Sequence, residues 1–356
     1  MEIENLVRPN IKNLVAYTTA RHEYIGEADI YLDANENSYG SPITLPQGIT
    51  AQLNRYPNPL QTRLKQKLSE IKGIAPQHIF IGNGSDECID VLMRVFAEPA
   101  IDNIITISPT YGMYKVCAAI NNITLHEITL TNTYQLNVKK IIETINSNTK
   151  LIFLCNPNNP TGTTFAQQDI LTILQAFAGV VVIDEAYINY STHPSYIAQL
   201  TRYPNLVIMQ TLSKAWGLAG LRIGMLYGAS SIIHYCNTVK YPYNVSTINE
   251  QLALQALNNL PTVNVWIKQT NHEKELLATT LLNKMLCKNI FKSDTNFLLI
   301  EFEKANELYQ YLCSKGIIVR NRSTVPTIPN CLRITIGTAS QNERLIAEIT
   351  NFYTKN

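Results

Sequence analysis

Six short apolar runs, rich in β-branched residues and separated by helical patterns, constrain the fold of this 356-residue chain more than any other feature. The runs lack the alternation of apolar and polar residues that a half-solvated strand shows, which is typical of strands buried on both faces. Helical patterns such as SDECIDVLMRVF (85–96) and QQDILTILQAFA (167–178) lie between them. The runs are IFI (79–81), NIITI (103–107), KLIFLC (150–155), GVVVID (179–184), NLVIMQ (205–210) and RIGMLYG (222–228). The sequence therefore predicts an α/β fold with a mostly parallel central sheet covered by helices.

The pattern changes towards the C-terminus, after Tyr241-Pro242. The last two apolar runs before that point are separated only by a short loop, so they are expected to pair without a full helical crossover. Thr247 and Glu250 have the spacing of a capping box and predict a helix start, followed by a break in the helix at Leu260-Pro261. A strand (NFLLIEF), a helix (NELYQYLCSK), two strands (IIVR and CLRITI) and a closing helix are predicted to follow.

These changes divide the chain into three predicted parts. Residues 1–30 carry glycine and proline punctuation and are predicted to be an N-terminal arm that packs with the small domain or a partner subunit. Residues 31–240 form the predicted large domain, and residues 241–356 a smaller α/β domain.

Composition and charge exclude several classes of function. Lys and Arg together number 29 and Asp and Glu 27, a net charge of +2 without a basic block, so nucleic acid is not an expected partner. No apolar run approaches the roughly 18 residues of a membrane span, and the N-terminus MEIENLVRPN lacks the apolar core of a signal peptide. Seven cysteines without C-x-x-C spacing fit reduced thiols better than disulfides or a metal site. The sequence predicts a soluble, cytoplasmic protein that acts on small molecules without a metal.

The stretch TLSKAWGLAGLRIG (211–224) places one lysine, Lys214, among small residues. An ordinary lysine lies on a solvated face. Ser213 and the neighbouring alanines and glycines remove side-chain bulk around the amine. This pattern indicates that something flat and bulky packs against the backbone near Lys214.

Glycine turns and polar residues follow the other apolar runs, at the strand ends where open α/β sheets bind ligands. GNGSDE (82–87) offers free backbone N–H groups and a helix dipole to a phosphate, although such a turn is also common as a plain connector. SPTYG (108–112) places Tyr111 either to stack on a flat ring or in the core. NPNNPTG (156–162) could aim the Asn159 amide at an oxygen of that ring, although Asn-Pro turns are common.

Asp184 stands at the end of the run GVVVID, where an unpaired charge would be costly. A structural salt bridge or helix cap is one interpretation; a carboxylate that keeps a pyridine nitrogen protonated is the other. Tyr187 could hydrogen-bond the phenolic oxygen of the same ring. Together with Lys214 these residues predict a site where a lysine binds pyridoxal phosphate covalently, with Ser213 and Arg222 as further phosphate contacts.

The chain resembles the fold type I pyridoxal-phosphate aminotransferases. TLSKAWGLAG looks like their lysine signature, and NPNNPTG, DEAY and the arginine eight residues after the lysine match in the same order. The resemblance runs over nearly the whole chain and is closest to histidinol-phosphate aminotransferases, through YLDANEN (31–37), RYPNP (55–59), GNGSDE (82–87) and CLRITIGT (331–338). It implies a large PLP-transferase-like domain and transamination between histidinol phosphate and 2-oxoglutarate in histidine biosynthesis.

The resemblance also implies roles for individual residues. Lys214, Asp184 and Tyr187 match the catalytic positions. The matching cofactor-binding positions, besides those three, are Gly84, Ser85, Asp86, Tyr111, Asn159, Ser213 and Arg222. A homodimer is implied, in which Tyr56 reaches the partner subunit's cofactor phosphate. The matching substrate-binding positions are Tyr17, Asn35, Arg320 and Arg333.

Several alternatives stay open on the sequence. Arg322 lies between the two substrate arginines and could replace Arg320, and the arginines could also be surface residues or strand-end salt bridges. An aromatic amino acid aminotransferase or a threonine-phosphate decarboxylase would share every cofactor residue. A non-catalytic regulator with an aminotransferase-like domain would usually add a DNA-binding module, and none is visible before residue 31.

Overall fold

The computed structural model describes residues 29–33, 35–39, 56–325 and 327–355, and a seven-stranded sheet forms the centre of this part of the chain. After the short β1 (Ile30–Tyr31), its strands are β2 (Ile79–Asn83), β3 (Asn103–Ser108), β4 (Thr124–Thr129), β5 (Thr149–Cys155), β6 (Val180–Asp184), β7 (Leu206–Thr211) and β8 (Ile223–Gly228). Their order across the sheet is β2-β8-β7-β6-β5-β3-β4. Neighbours from β7 to β4 pair in parallel, while β8 is antiparallel to both β2 and β7. The predicted α/β fold with a mostly parallel sheet is confirmed.

Helices cover this sheet on both faces. In chain order the helices are α1 (Thr62–Lys72), α2 (Gly84–Phe96), α3 (Met113–Ile120), α4 (Val138–Thr144), α5 (Gln167–Ala176), α6 (Ser230–Val239), α7 (Thr247–Leu257), α8 (Leu260–Asn283), α9 (Ala305–Ser314) and α10 (Ala339–Lys355). Alternate residues of a strand point to opposite faces of the sheet and belong to different apolar clusters. In β6, Val181 and Ile183 pack with α1, α5 and α7 on one face. Val180 and Val182 pack with α2, α3 and α6 on the other. Burial on both faces explains why these runs are continuously apolar.

The C-terminal part builds a second sheet with its own core. Its strands are β9 (Asn289–Ile290), β10 (Phe297–Glu301), β12 (Arg320–Asn321) and β13 (Cys331–Thr335), in the antiparallel order β12-β13-β10-β9. The short β11 (Ile317–Ile318) pairs in parallel with β1, so Ile30 and Tyr31 join this part. Leu277, Leu308 and Leu345 from α8, α9 and α10 pack in its core. The division at residue 240 stays a prediction, and α7, which lies beyond it, packs on the larger sheet.

Local expectations from the sequence had mixed outcomes. Strands β7 and β8 pair directly, as expected. The helix breaks at Asn258 and Asn259, just before the predicted Leu260-Pro261, which begin α8. The capping box was wrong, because the hydroxyl of Ser246 accepts the backbone N–H of Asn249 and Thr247 is already the first helical residue. Strand β4 was missed, since it lies at the sheet edge and its sequence TLHEIT is mostly solvent-accessible rather than apolar.

Candidate active site

The carboxyl ends of β5, β6 and β7 open onto one cavity, as expected of an open α/β sheet. Cys155, Asp184 and Thr211, the last residues of these three strands, all line it. The lining residues are Asp33, Asn35, Ser85, Asp86, Tyr111, Cys155, Asn159, Asp184, Ala186, Tyr187, Thr211, Ser213, Lys214, Arg222, Arg320, Arg322 and Arg333.

Lys214 is carried by a tight loop between β7 and β8. The Gly217 N–H donates to the Lys214 carbonyl at 3.1 Å, and Gly217 has a φ of +64°, a conformation that favours glycine. The lysine Nζ lies 5.8 Å from the centre of the Tyr187 ring. Burial, and next the charge of Arg333, lower the pKa of Lys214 to about 8. The amine therefore reaches its neutral, nucleophilic form closer to neutral pH than an exposed lysine does.

Asp184 is a buried carboxylate whose two oxygens are both hydrogen-bonded. Its Oδ2 accepts the Tyr114 hydroxyl at 2.6 Å, and its Oδ1 accepts the Ala186 N–H at 3.0 Å. Burial raises the pKa of Asp184 to about 6, and the two hydrogen bonds act in the opposite direction. Both hydrogen-bond donors are neutral groups, so the negative charge of Asp184 is stabilised without being cancelled.

A hydrogen-bonded chain of side chains joins the two parts of the molecule across the cavity. The Tyr187 hydroxyl accepts the side-chain N–H of Asn35 at 3.0 Å and of Asn159 at 3.3 Å. Arg333 donates to Asn159 Oδ1 at 2.7 Å and to the carbonyl of Asp33 at 2.6 Å. The Asn35 amide is itself fixed, because its Oδ1 accepts the Thr335 hydroxyl at 3.0 Å. These residues come from four separate stretches of sequence, and the contacts orient the Tyr187 hydroxyl and the side-chain amides of Asn35 and Asn159.

The N-terminus of α2 lies against β8 so closely that only glycine fits there. A Cβ on Gly224 would stand 2.5 Å from the carbonyl carbon of Gly84 and 2.5 Å from the nitrogen of Ser85. Gly84 has a φ of +79°, and the Arg222 guanidinium lies against it. That guanidinium also pairs with Asp86 at 3.2 Å. A helix N-terminus beside an arginine is a ready site for an anion such as a phosphate.

Two buried arginines face each other in the second sheet. Arg320 in β12 and Arg333 in β13 are directly opposite partners of the antiparallel pair, and they are 7% and 5% exposed. Side chains of opposite partners lie on the same face, and like charges so placed repel. Both arginines line the cavity, as does Arg322, so this wall suits an anionic group.

Most of the residues predicted for the site meet at this cavity. Those in its lining are Asn35, Ser85, Asp86, Tyr111, Asn159, Asp184, Tyr187, Ser213, Lys214, Arg222, Arg320 and Arg333. Gly84 lies beside it, at the start of α2. Tyr56 lies elsewhere, 81% exposed and stacked on Tyr243 with ring centres 4.5 Å apart. Tyr17 falls outside the described residues. The roles assigned to all of these residues stay predictions.

Sequence reasoning missed some residues of the site. Asp33, Cys155 and Thr211 line the cavity. Cys155 is the final residue of one predicted strand and Thr211 directly follows another, positions that could have singled them out. Tyr114 contacts Asp184 from α3, and no motif marks it.

Comparison with known proteins defines the class of this chain. Residues 28–349 match the family model for aminotransferase class I and II. The chain belongs to this family.

Two relatives with similar sequences are both named histidinol-phosphate aminotransferase. The histidinol-phosphate aminotransferase of Flavobacterium psychrophilum is 47% identical over 346 residues, 97% of this chain and 97% of the relative. That of Parabacteroides distasonis is 43% identical over 350 residues, 98% of this chain and 99% of the relative.

Solved structures agree at the level of the fold. The histidinol-phosphate aminotransferase of Sinorhizobium meliloti, solved in complex with pyridoxal-5'-phosphate, superposes with a TM-score of 0.87 at 21% identity, covering 97% of this chain and 98% of that one. The histidinol-phosphate aminotransferase of Clostridium acetobutylicum gives a TM-score of 0.84 at 21% identity, covering 92% and 100%. At this level of identity the likeness shows the fold alone.

Proposed function

We propose that this chain catalyses pyridoxal-phosphate-dependent transamination between histidinol phosphate and 2-oxoglutarate, giving imidazole acetol phosphate and glutamate, in histidine biosynthesis. The observation that carries the substrate assignment is the facing pair Arg320 and Arg333, both buried and both in the cavity wall. A dianionic phosphate has enough charge and enough acceptor oxygens to engage two guanidinium groups and offset their repulsion. The name shared by relatives at 43% and 47% identity supports the same substrate.

The cavity residues fit pyridoxal phosphate. The start of α2, held against Gly224 and flanked by Arg222, suits the cofactor phosphate, with Ser85 and Ser213 as further contacts. Asp184 suits the ring nitrogen, and Tyr111 lies in the lining where it can stack on the ring. Lys214, with its lowered pKa, suits the aldehyde carbon.

Residues of this chain then supply the acid-base chemistry. When bound, pyridoxal phosphate supplies an electron sink for the electrons left on the substrate's α-carbon. The Lys214 amine, whose pKa is lowered to about 8, would take the proton from that carbon as the general base and, once protonated, would return a proton as the general acid to complete the transfer. The Asp184 carboxylate holds a proton on the ring nitrogen, and Tyr187 with Asn159 orients the ring's phenolic oxygen. Histidinol phosphate and 2-oxoglutarate use the cavity in turn, in a ping-pong cycle.

The proposal includes a homodimer in the cytoplasm. Tyr56 is exposed and lies apart from the cavity lining, which supports the expectation that it reaches the partner subunit's cofactor phosphate. All seven cysteines are free thiols, which supports a reducing compartment. Within the described residues, no helix is long and apolar enough to cross a membrane.

Single-turnover kinetics of each half-reaction test the substrate. Losing a charge-assisted contact costs about 1.5–3 kcal/mol, or roughly 10- to 150-fold in kcat/KM. Arg320→Gln should lower kcat/KM by about that factor for histidinol phosphate and by clearly less for glutamate, whereas Arg333→Gln should depress both. Arg344→Gln, which removes the same charge from an exposed pair with Asp29, is the matched control.

The substrate panel should include histidinol, aromatic amino acids and threonine phosphate. Equal losses on both substrates in Arg320→Gln would remove the phosphate assignment. A wild-type preference for aromatic amino acids would favour an aromatic aminotransferase, and release of CO₂ from threonine phosphate would favour a decarboxylase.

A further inference from the structure

Tyr114 is a buried residue that the proposed chemistry does not use, yet its hydroxyl contacts the central carboxylate. It lies in α3, outside the cavity lining, and donates to Asp184 Oδ2 at 2.6 Å. The Ala186 N–H donates to the other oxygen at 3.0 Å. With one donor on each oxygen, the plane of the Asp184 carboxylate is fixed relative to the cavity.

Tyr114 is itself held on both sides. Its side chain is fully buried, and its ring stacks on Phe153 of β5 with centres 5.1 Å apart. Tyr111 meets it edge-on at 5.7 Å, and the Tyr111 hydroxyl donates to Asp86 at 2.9 Å. The phenol therefore approaches Asp184 from one direction only, and it connects that carboxylate to the aromatic side chain expected to stack on the cofactor.

Among the described groups that surround Asp184, Tyr114 is the main side-chain hydrogen-bond donor to its carboxylate. Burial raises the pKa of Asp184, and Asp86 on α2 adds to that rise. The Tyr114 hydrogen bond lowers it most, followed by the Ala186 N–H and the charge of Lys214 after β7. Cys155 on β5 and Tyr187 after β6 also face Asp184, and burial raises the pKa of each, so both stay neutral at physiological pH. Burial and Asp184 raise the pKa of Tyr114 as well, so the phenol keeps its proton.

We propose that Tyr114 is a positioning residue that fixes the carboxylate plane of Asp184 and keeps this carboxylate ionised at neutral pH before the cofactor binds. The inference rests on the proposed role of Asp184 in binding the cofactor ring. A neutral, buried donor suits this task because it stabilises the anion without cancelling its charge, which remains available to a protonated ring nitrogen.

The test compares the full-length wild type with Tyr114→Phe, and uses Tyr227→Phe as the control. Tyr227 is a fully buried tyrosine of β8 that does not line the cavity among the described residues, so its variant reports the loss of a buried hydroxyl in general. The protonated-carboxyl infrared band, assigned to Asp184 by its disappearance in Asp184→Asn, is followed against pH before cofactor is added. Binding of added pyridoxal phosphate is then titrated at each pH.

In Tyr114→Phe the Asp184 midpoint should rise by about 1–2 pH units, roughly a 10- to 100-fold change in its acid dissociation constant. Cofactor affinity near pH 7 should fall in this variant and recover at higher pH, with neither change in Tyr227→Phe. An unchanged midpoint in a folded Tyr114→Phe protein would overturn the proposal.

A second measurement tests the proposal if Tyr114→Phe does not fold. A fluorinated tyrosine at position 114 keeps the shape and is a stronger donor, so the Asp184 midpoint should move down; no movement would refute the role. If the midpoint moves as expected but the wild type neither binds pyridoxal phosphate nor transaminates histidinol phosphate, the positioning role stands and the proposed function fails.

Discussion

Gly224 is the position at which one added carbon atom should most disturb the proposed phosphate site. A Cβ at this residue would lie 2.5 Å from both the carbonyl carbon of Gly84 and the nitrogen of Ser85. Carbon atoms in contact prefer about 3.5–4.0 Å, so the start of α2 must move by roughly 1 Å from β8. Both clashing atoms belong to the backbone, and no side-chain rotation relieves the contact.

The expected effects of Gly224→Ala on stability and on cofactor binding follow from this displacement. Overpacking of this kind costs about 1–3 kcal/mol of unfolding free energy. The displaced group is the first turn of α2, whose N–H donors must stay within about 2.7–3.2 Å of a phosphate oxygen to bond it. We therefore expect Gly224→Ala to weaken pyridoxal phosphate binding by at least about tenfold, which corresponds to about 1.4 kcal/mol.

Gly228→Ala is the matched control in the same strand. A Cβ there would lie 3.4 Å from Val207 Cγ2, an ordinary contact, while the loss of glycine's freedom in the unfolded chain is the same. Cofactor affinity is measured by absorbance titration and stability by denaturant unfolding. If Gly224→Ala matched Gly228→Ala in both measurements, the close approach of β8 and α2 would not position the phosphate site.

Three further predictions concern the proposed chemistry. Lys214→Ala should lose turnover almost completely, and borohydride should fix pyridoxal phosphate to the wild type at Lys214 but not to the variant; near wild-type transamination in the variant would end the cofactor assignment. Because burial lowers the pKa of Lys214 to about 8, the rate at which the cofactor-free enzyme captures pyridoxal phosphate should rise with pH and level off above about 8. A rise that continued towards pH 10 would contradict this lowered pKa. Asp184→Asn, nearly isosteric, should reduce kcat by about 10²- to 10³-fold with unchanged circular dichroism, and an unchanged kcat would make Asp184 structural.

The strand ends of the large sheet could be predicted from the sequence because burial on both faces leaves continuous apolar runs. Asp184 is the last residue of such a run, and Lys214 follows another, so the sheet topology alone brings them to one edge. The edge strand β4 lacks this signal because its side chains are largely solvent-accessible, unlike those of β2 at the opposite edge, which are mostly buried.

Contacts between distant segments could not be predicted in this way. The register that places Arg320 opposite Arg333 depends on how β12 and β13 pair, and a shift of one residue would put one side chain on the other face. Tyr114 reaches Asp184 across 70 positions of sequence. A tyrosine with helical spacing on an apolar face carries no sign of the carboxylate that its hydroxyl meets.

Arg333 shows why the proposed substrate and cofactor contacts are not independent. Its guanidinium holds the Asn159 oxygen, and the Asn159 amide in turn donates to the Tyr187 hydroxyl. The same guanidinium holds the backbone carbonyl of Asp33, close in sequence to Asn35, which donates to that hydroxyl from the other side. An anion that draws Arg333 towards itself therefore acts on both amides that orient Tyr187. The register of the small sheet would thus affect the proposed cofactor contacts as well as the proposed choice of substrate, because one strand position takes part in both.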